Sequence, residues 1–352
     1  MNALVYYGRK DLRYERFPEP SPAPDEVLVK VKYAGMCHTD FNEYENGPIF
    51  TSVTPHPRTG RKAPLVLGHE FSGQVVSIGP QVTNVKEGDR VAINAVDACG
   101  KCFYCKRGDR ALCPSVAFLG LGRDGGFAEF VAVQAECCHP LREGVSYRDA
   151  VLAEPLSVAV HAARRARFEV GTNVAIVGGG TLGLCMLQVV RAAGARDVFV
   201  IERSESKRRF CEALGGKFMN SATNASFRLE ILDRTQGRGV DFAFECAGAG
   251  AALGTAVDVT ANGGVVCATG IYSGAFLFDF NKVLGGEKSI VTSLAYGTEY
   301  PATIAMLADG RLRADALITN CIPLSQGCEH IREFESRGVT NIKTLLEIDP
   351  AA

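Results

Sequence analysis

Asn173-Val-Ala-Ile-Val177-Gly178-Gly-Gly180-Thr181-Leu182-Gly183 runs directly into Leu184 to Ala193, and this stretch sets the architecture. Asn173 to Val177 is a continuous apolar run of the kind that forms a strand buried on both faces of a parallel sheet. Leu184 to Ala193 reads as a helix. Between them lies G-x-G-x-x-G in the context that gives it meaning, with a strand before it and a helix after it. Gly178 allows the tight turn, Gly180 lets the backbone approach a pyrophosphate, and Gly183 lets helix pack on strand. Thr181 and Leu182 belong to the same loop, and the helix N-terminus faces the phosphates. A second strand, Asp197 to Ile201, ends in Glu202, about 20 residues on, where an acid holds the adenosine ribose diol. A carboxylate there repels a 2'-phosphate and favours NAD. Arg203, Lys207 and Arg208 complicate this: they either accept such a phosphate or form a solvated helix face.

Outward from this point the α/β alternation continues. Ser206 to Leu214, Ala225 to Thr235 and Ala251 to Thr260 read as helices. Val240 to Glu245, Gly264 to Thr269 and Ser289 to Leu294 read as strands. Segments of this kind fit a doubly wound sheet of six strands. Cys246, Gly270 with Ile271, and Ser293 with Leu294 end three of the strands at the carboxyl edge, where a nicotinamide is reached. A helix after Pro301 leads through Asp309-Gly310. Leu317 to Thr319 and Ile342 to Leu346 then look like strands returning to an earlier domain.

That earlier domain is β-rich. Glu26-Val-Leu-Val-Lys-Val-Lys32 switches apolar and charged with period near two. Gly79-Pro80 and Glu87-Gly88-Asp89 are turn signals. The expected division is discontinuous: 1–155 and 299–352 form a catalytic domain, and 156–298 bind the dinucleotide. Asn42 to Pro64 reads as a long loop and a candidate pocket wall.

Two constellations in the β-rich part suggest metal. Cys99-Gly-Lys-Cys102-Phe-Tyr-Cys105 is followed by Cys113 after seven residues. Four thiolates in one short lobe close a tetrahedral zinc site with no open position, a staple without chemistry. The second is Cys37, His69 and one or both of Glu70 and Glu154. A lone His-Glu pair is commonly just a contact at a strand mouth, and a buried carboxylate before a helix commonly caps it. Together with Cys37 these residues make a borderline-soft N/S/O set that suits zinc with a position left open. Thr39 follows Cys37 by two residues, and its hydroxyl can hydrogen-bond an alcohol on that metal. His38 reads as structural, and Cys137 and Cys138 as small buried side chains.

The remaining composition excludes other classes. The chain has 352 residues and a net charge of −1, with no basic block or acidic tail, so neither nucleic acid nor an anionic membrane is an expected partner. Met1 to Tyr7 is too short for a signal peptide, and the longest apolar run, Asn173 to Val190, is broken by four glycines. Thirteen cysteines then point to thiols and metal ligands rather than disulfides, hence to the cytoplasm.

Gly35-Met-Cys37-His-Thr39-Asp40, Gly68-His69-Glu70, the four-cysteine lobe, Glu154-Pro-Leu156 and the Gly178 to Gly183 loop resemble the zinc-dependent medium-chain alcohol dehydrogenases over essentially the whole chain. The stretch from Glu43-Tyr44 through Gly47-Pro-Ile-Phe50 to His56-Pro57 is most similar to the 2,3-butanediol dehydrogenase branch, and Glu154 to Val158 is equally similar to sorbitol dehydrogenase. The resemblance implies a GroES-like catalytic domain, a Rossmann domain and NAD-dependent oxidation of a secondary alcohol or vicinal diol. It implies two zinc ions per chain. One sits on Cys37, His69 and Glu154, with Glu70 beside it or exchanging onto it. The other sits on Cys99, Cys102, Cys105 and Cys113. Polyols, threonine or a bulky cyclic alcohol are alternative substrates. A zinc-free quinone or enone reductase is the alternative of another class. Most such enzymes are homodimers or homotetramers. Many carry a histidine three residues after the Thr39 position to end a proton relay; this chain has Asn42, so the relay ends at ribose and water or at another group such as His56.

Overall fold

The computed structural model describes residues 1–334 and 341–349. The chain folds as two units, Met1–Glu154 with Tyr296–Gly310 and Ile318–Ala352, and Pro155–Ala295 with Arg311–Leu317.

The first unit begins with β1 (Asn2–Gly8), β2 (Asp11–Arg16) and β3 (Glu26–Gly35). It continues with β4 (Leu65–Val66), β5 (Glu70–Ile78), β6 (Arg90–Ile93), β7 (Val96–Asp97), β8 (Ala117–Phe118), β9 (Phe130–Gln134) and β10 (Cys138–Pro140). The alternation read in the sequence is the pleat of β3: Val27, Val29 and Val31 point inward and are fully buried. They join Leu4, Leu65 and Phe71 in one apolar core.

The second unit holds β11 (Asn173–Val177), β12 (Asp197–Glu202), β13 (Lys217–Asn220), β14 (Val240–Glu245), β15 (Thr260–Ala268) and β16 (Ser289–Thr292). Their pairings are all parallel, in the order β13-β12-β11-β14-β15-β16. The order reverses beside β11, so the loops after β11, β12 and β14 line the switch point where such sheets bind dinucleotides. The chain then returns to the first unit with β17 (Ile318–Pro323) and β18 (Lys343–Glu347). There the main sheet runs β10-β6-β5-β3-β18-β17, and β9 also pairs with β3.

Three segments differ from the sequence reading. The start of the expected loop after Asn42 is the end of a helix, His38–Asn46, which begins immediately after Cys37. Glu154 lies inside the first turn of a helix, Ala153–Arg165, rather than before one. Lys217–Asn220 is a strand that the sequence reading left unassigned.

Candidate metal and cofactor sites

The ends of three neighbouring strands build the first site. β3 pairs with β5 so that Gly35 faces Glu70, and with β18 so that Gly35 faces Leu345. Cys37 follows β3 by two residues, His69 immediately precedes β5, Glu70 begins it, and Lys343 begins β18. Gly35 is glycine for a steric reason: a Cβ there would stand 2.3 Å from Glu70 Oε2. Gly68 has φ +96° and its missing Cβ would strike the Phe127 ring, so it is the residue that turns His69 into place.

Donor atoms of Cys37, His69 and Glu70 lie within 4.8 Å of one another. A thiol, an imidazole and a carboxylate at this separation fit one zinc ion. Thr39 Oγ1 is 3.6 Å from Cys37 Sγ. Glu154 is not in that group of three, although it is buried and feels its members. Its carboxyl is pushed up to about 7 by burial and by the Glu70 charge, against the pull of His69 and Lys343.

Two residues that the sequence reading gave no role hold this cluster. Asp40 Oδ2 accepts the Cys37 backbone N–H at 2.9 Å, and its Oδ1 faces His69 Nδ1 at 3.5 Å. A carboxylate on one ring nitrogen leaves Nε2 for a metal and fixes the ring. Burial lowers the affinity of His69 for a proton, but Asp40 and Cys37 outweigh it and hold the imidazole well above its ordinary value. Lys343 Nζ donates to both Glu70 oxygens, at 2.8 and 2.7 Å, and to the Met36 carbonyl at 3.1 Å. Both partners are almost wholly buried. Asp40 was within the motif that drew attention to Cys37. Lys343 carries no local signal, since only the β3–β18 pairing brings it here.

His56 is tied into its own loop. Its Nδ1 accepts from Arg58 N at 3.3 Å and its Nε2 meets the Val116 carbonyl at 3.1 Å. His38 packs against Phe41 and Phe334.

Cys99, Cys102, Cys105 and Cys113 form the second cluster. Sulfur separations are 3.5 Å for Cys102 and Cys105 and 3.9 Å for Cys99 and Cys105. Four sulfurs about 2.3 Å from one zinc stand roughly 3.8 Å apart in a tetrahedron. All four are free thiols. The N–H groups of Lys101 and Cys102 bring the Cys99 thiol down to about 6, which readies it to bind as thiolate.

In the second unit the Gly-rich turn has the expected shape. Gly178 has φ +104°. A Cβ on Gly183 would stand 1.8 Å from the Gly178 carbonyl, so only glycine admits the helix Thr181–Ala192 this close. Gly180 faces open space instead, at the N-terminus of that helix. Glu202 ends β12 and its Oε2 accepts Gly179 N at 2.7 Å, while Lys207 Nζ pairs with it at 3.2 Å. Its Oε1 accepts the N–H groups of Arg203 and Ser204. Lys207 and these N–H groups overcome partial burial and keep its carboxyl below the usual range. Cys246, Gly270 and Ser293 follow β14, β15 and β16 at the same sheet edge as Gly178. A Cβ on Gly270 would stand 2.1 Å from Gly248 N, and one on Gly248 would stand 2.4 Å from the Ile271 carbonyl oxygen; the Ile271 and Leu294 side chains are exposed.

Residues 23–143 match the alcohol dehydrogenase GroES-like domain, and residues 181–309 match the zinc-binding dehydrogenase family. The (R,R)-butanediol dehydrogenase of Bacillus subtilis (strain 168) is 35% identical over 326 residues, covering 92% of this chain and 93% of its own. The crystal structure of 2R,3R-butanediol dehydrogenase from Bacillus subtilis superposes with a TM-score of 0.92 at 33% identity, over 99% of each chain. The sorbitol dehydrogenase of Homo sapiens is 31% identical over 353 residues, covering 99% of this chain and 96% of its own. A Sinorhizobium meliloti 1021 protein solved with NADP bound matches with a TM-score of 0.88 at 27% identity, over 98% of each chain. Matches of this extent, on a fold with this strand order and these donor clusters, place the chain in the zinc-dependent medium-chain alcohol dehydrogenase family.

Proposed function

We propose that this protein oxidises a secondary alcohol or vicinal diol such as 2,3-butanediol, reversibly, with NAD and two zinc ions per chain. The observation that carries the reading is the convergence of Cys37, His69 and Glu70 within 4.8 Å, beside Thr39. Cys37, His69 and a carboxylate, Glu70 or Glu154, hold the catalytic zinc; Cys99, Cys102, Cys105 and Cys113 hold the structural one. Zinc supplies the Lewis acidity that lowers the pKa of an alcohol oxygen, and NAD supplies the hydride acceptor.

The chain's own residues do the rest. Asp40 keeps His69 oriented through Nδ1. Thr39 Oγ1 receives the hydroxyl proton of the alcohol by hydrogen bond. Asn42 does not titrate and His56 is engaged with Val116 and Arg58, so neither side chain would take the proton on from Thr39, which would be left to solvent or to a hydroxyl of the bound cofactor. The Gly178–Gly183 turn receives the pyrophosphate, and Cys246, Gly270, Ile271, Ser293 and Leu294 receive the nicotinamide half. NAD rather than NADP is supported by Glu202. Its carboxylate stays ionised, and it holds Lys207, one of the three cations that follow it, in an ion pair.

No described helix is long and apolar enough to cross a membrane. The thirteen free thiols support a reducing, cytoplasmic setting. Exposed apolar side chains on the second unit, including Leu277, Phe280 and Leu284, support a homodimer or homotetramer.

The test is NADH formation from NAD with separate stereoisomers of 2,3-butanediol and with sorbitol, together with the zinc content of the purified protein. Turnover of one diol isomer with two zincs per chain is expected. Absence of zinc, with quinone or enone reduction in place of alcohol oxidation, overturns the reading.

A further inference from the structure

Glu43 is a fully buried carboxylate that takes no part in the metal cluster. It lies on the helix His38–Asn46, four residues after Thr39. Residues four apart on a helix share a face and lie about 6 Å apart along the axis. Glu43 therefore projects from the flank of the helix that carries Thr39, one turn further on.

What it grips is the backbone of three consecutive residues. Glu43 Oε1 accepts the N–H of Ile49 at 3.1 Å, of Phe50, and of Thr51 at 3.3 Å. Oε2 accepts the Thr51 hydroxyl at 2.6 Å and shares the Ile49 N–H at 3.2 Å. The turn between helix and segment is pressed against the same group. A Cβ on Gly47 would stand 2.2 Å from both the Glu43 carbonyl and the Tyr6 hydroxyl. The Tyr6 hydroxyl itself donates to that carbonyl at 2.9 Å. Thr51 is buried, yet Ile49 and Phe50 are 49% and 42% exposed. A backbone gripped by a carboxylate one helical turn from Thr39, with two large apolar side chains turned outward, is built as a wall.

We infer that Glu43 is a positioning residue that clamps Ile49-Phe50-Thr51 so that Ile49 and Phe50 form the apolar wall of the alcohol pocket and set which carbon chain is accepted. The inference rests on the alcohol-oxidising reading given above. A carboxylate suits the task better than its amide: Glu43→Gln removes the charge that strengthens these bonds and turns an NH2 group, in place of Oε2, towards the Ile49 N–H.

The experiment compares the wild type, Glu43→Gln, Ile49→Ala and Phe50→Ala as full-length, zinc-loaded enzymes. It reads kcat and KM for 2,3-butanediol and 2-propanol, zinc content, and hydrogen exchange at residues 49–51. Expected in Glu43→Gln is loss of protection at 49–51 by at least 10-fold. Its kcat/KM ratio of butanediol to 2-propanol should fall by at least 10-fold, mainly through KM, with two zincs retained. Phe50→Ala or Ile49→Ala should shift the ratio in the same direction. Unchanged protection at 49–51, or an equal loss for both alcohols, overturns the inference. If the wild type turns over neither alcohol, the functional reading fails. The exchange measurement still decides the clamp: lost protection in Glu43→Gln supports it, and retained protection refutes it.

Discussion

At the residue scale, the metal cluster separates what a motif reveals from what only a fold reveals. Cys37, His69 and Glu70 stand in short strings whose chemistry is readable, and the structure brings their donors together. Lys343 was not readable. A lysine at the start of an apolar run looks like an ordinary strand end, and nothing local says that β18 will lay it under Glu70. Its burial would ordinarily strip its proton, but Glu70 holds the ammonium well above its usual value. Removing one member of a buried ion pair leaves the other charge uncompensated and typically costs about 3–5 kcal/mol. Lys343→Met is therefore expected to destabilise the first unit by about 3 kcal/mol in denaturant unfolding. Adding Glu70→Gln should recover part of that loss, since the orphaned charge is then gone. If the double variant is as unstable as the sum of the two singles, the pair is not coupled.

At the element scale, the buried parallel strands β11, β12 and β14 and the alternating strand β3 were legible because their apolar patterns match their burial. Two elements were not. The helix His38–Asn46 buries Asp40 and Glu43 alongside Phe41 and Tyr44, so its inward face is half polar and gives no amphipathic signal. β13 has only four residues and lies at a sheet edge. The four-cysteine lobe is the opposite case: spacing alone announces it. Its helix Phe103–Lys106 has no buried residue, and Phe103 and Leu112 are 66% and 54% exposed. A segment with so little core would depend on a metal bound by its four thiols for shape. Cys102→Ser is expected to halve the zinc content, from two per chain to one. It should also open the segment from Cys99 to Cys113 to limited proteolysis, while circular dichroism of the sheets is retained. Two zincs per chain, or a lobe as resistant as before, would refute the staple.

At the scale of the whole molecule, the late strands read at Leu317 to Thr319 and Ile342 to Leu346 overlap β17 and β18, and β18 carries both into the first unit's sheet by pairing with β3. The sequence did not reveal a buried histidine of the first unit whose protonation bears on folding. His139, on β10, stacks on Tyr300 with ring centroids 4.9 Å apart, and its Nε2 is buried without a hydrogen-bond partner. Burial, aided by the nearby Arg110 charge, lowers its affinity for a proton to a pKa of about 4. The unfolded chain binds that proton at about 6.5. Between these values the unfolded state is protonated and the folded state is not, so the contribution is complete above pH 6.5 and is lost as pH falls towards 4. One pH unit in this window corresponds to about 1.4 kcal/mol, which makes the loss about 2 kcal/mol at pH 5. His139→Phe keeps a ring against Tyr300 and removes the titration. The fall in unfolding free energy of the first unit from pH 7 to pH 5, with zinc held in excess, should be smaller in the variant by about 2 kcal/mol. Equal falls in the two proteins would mean that the folded state accommodates the charged imidazole, and that the acid limb of stability belongs to the carboxylates.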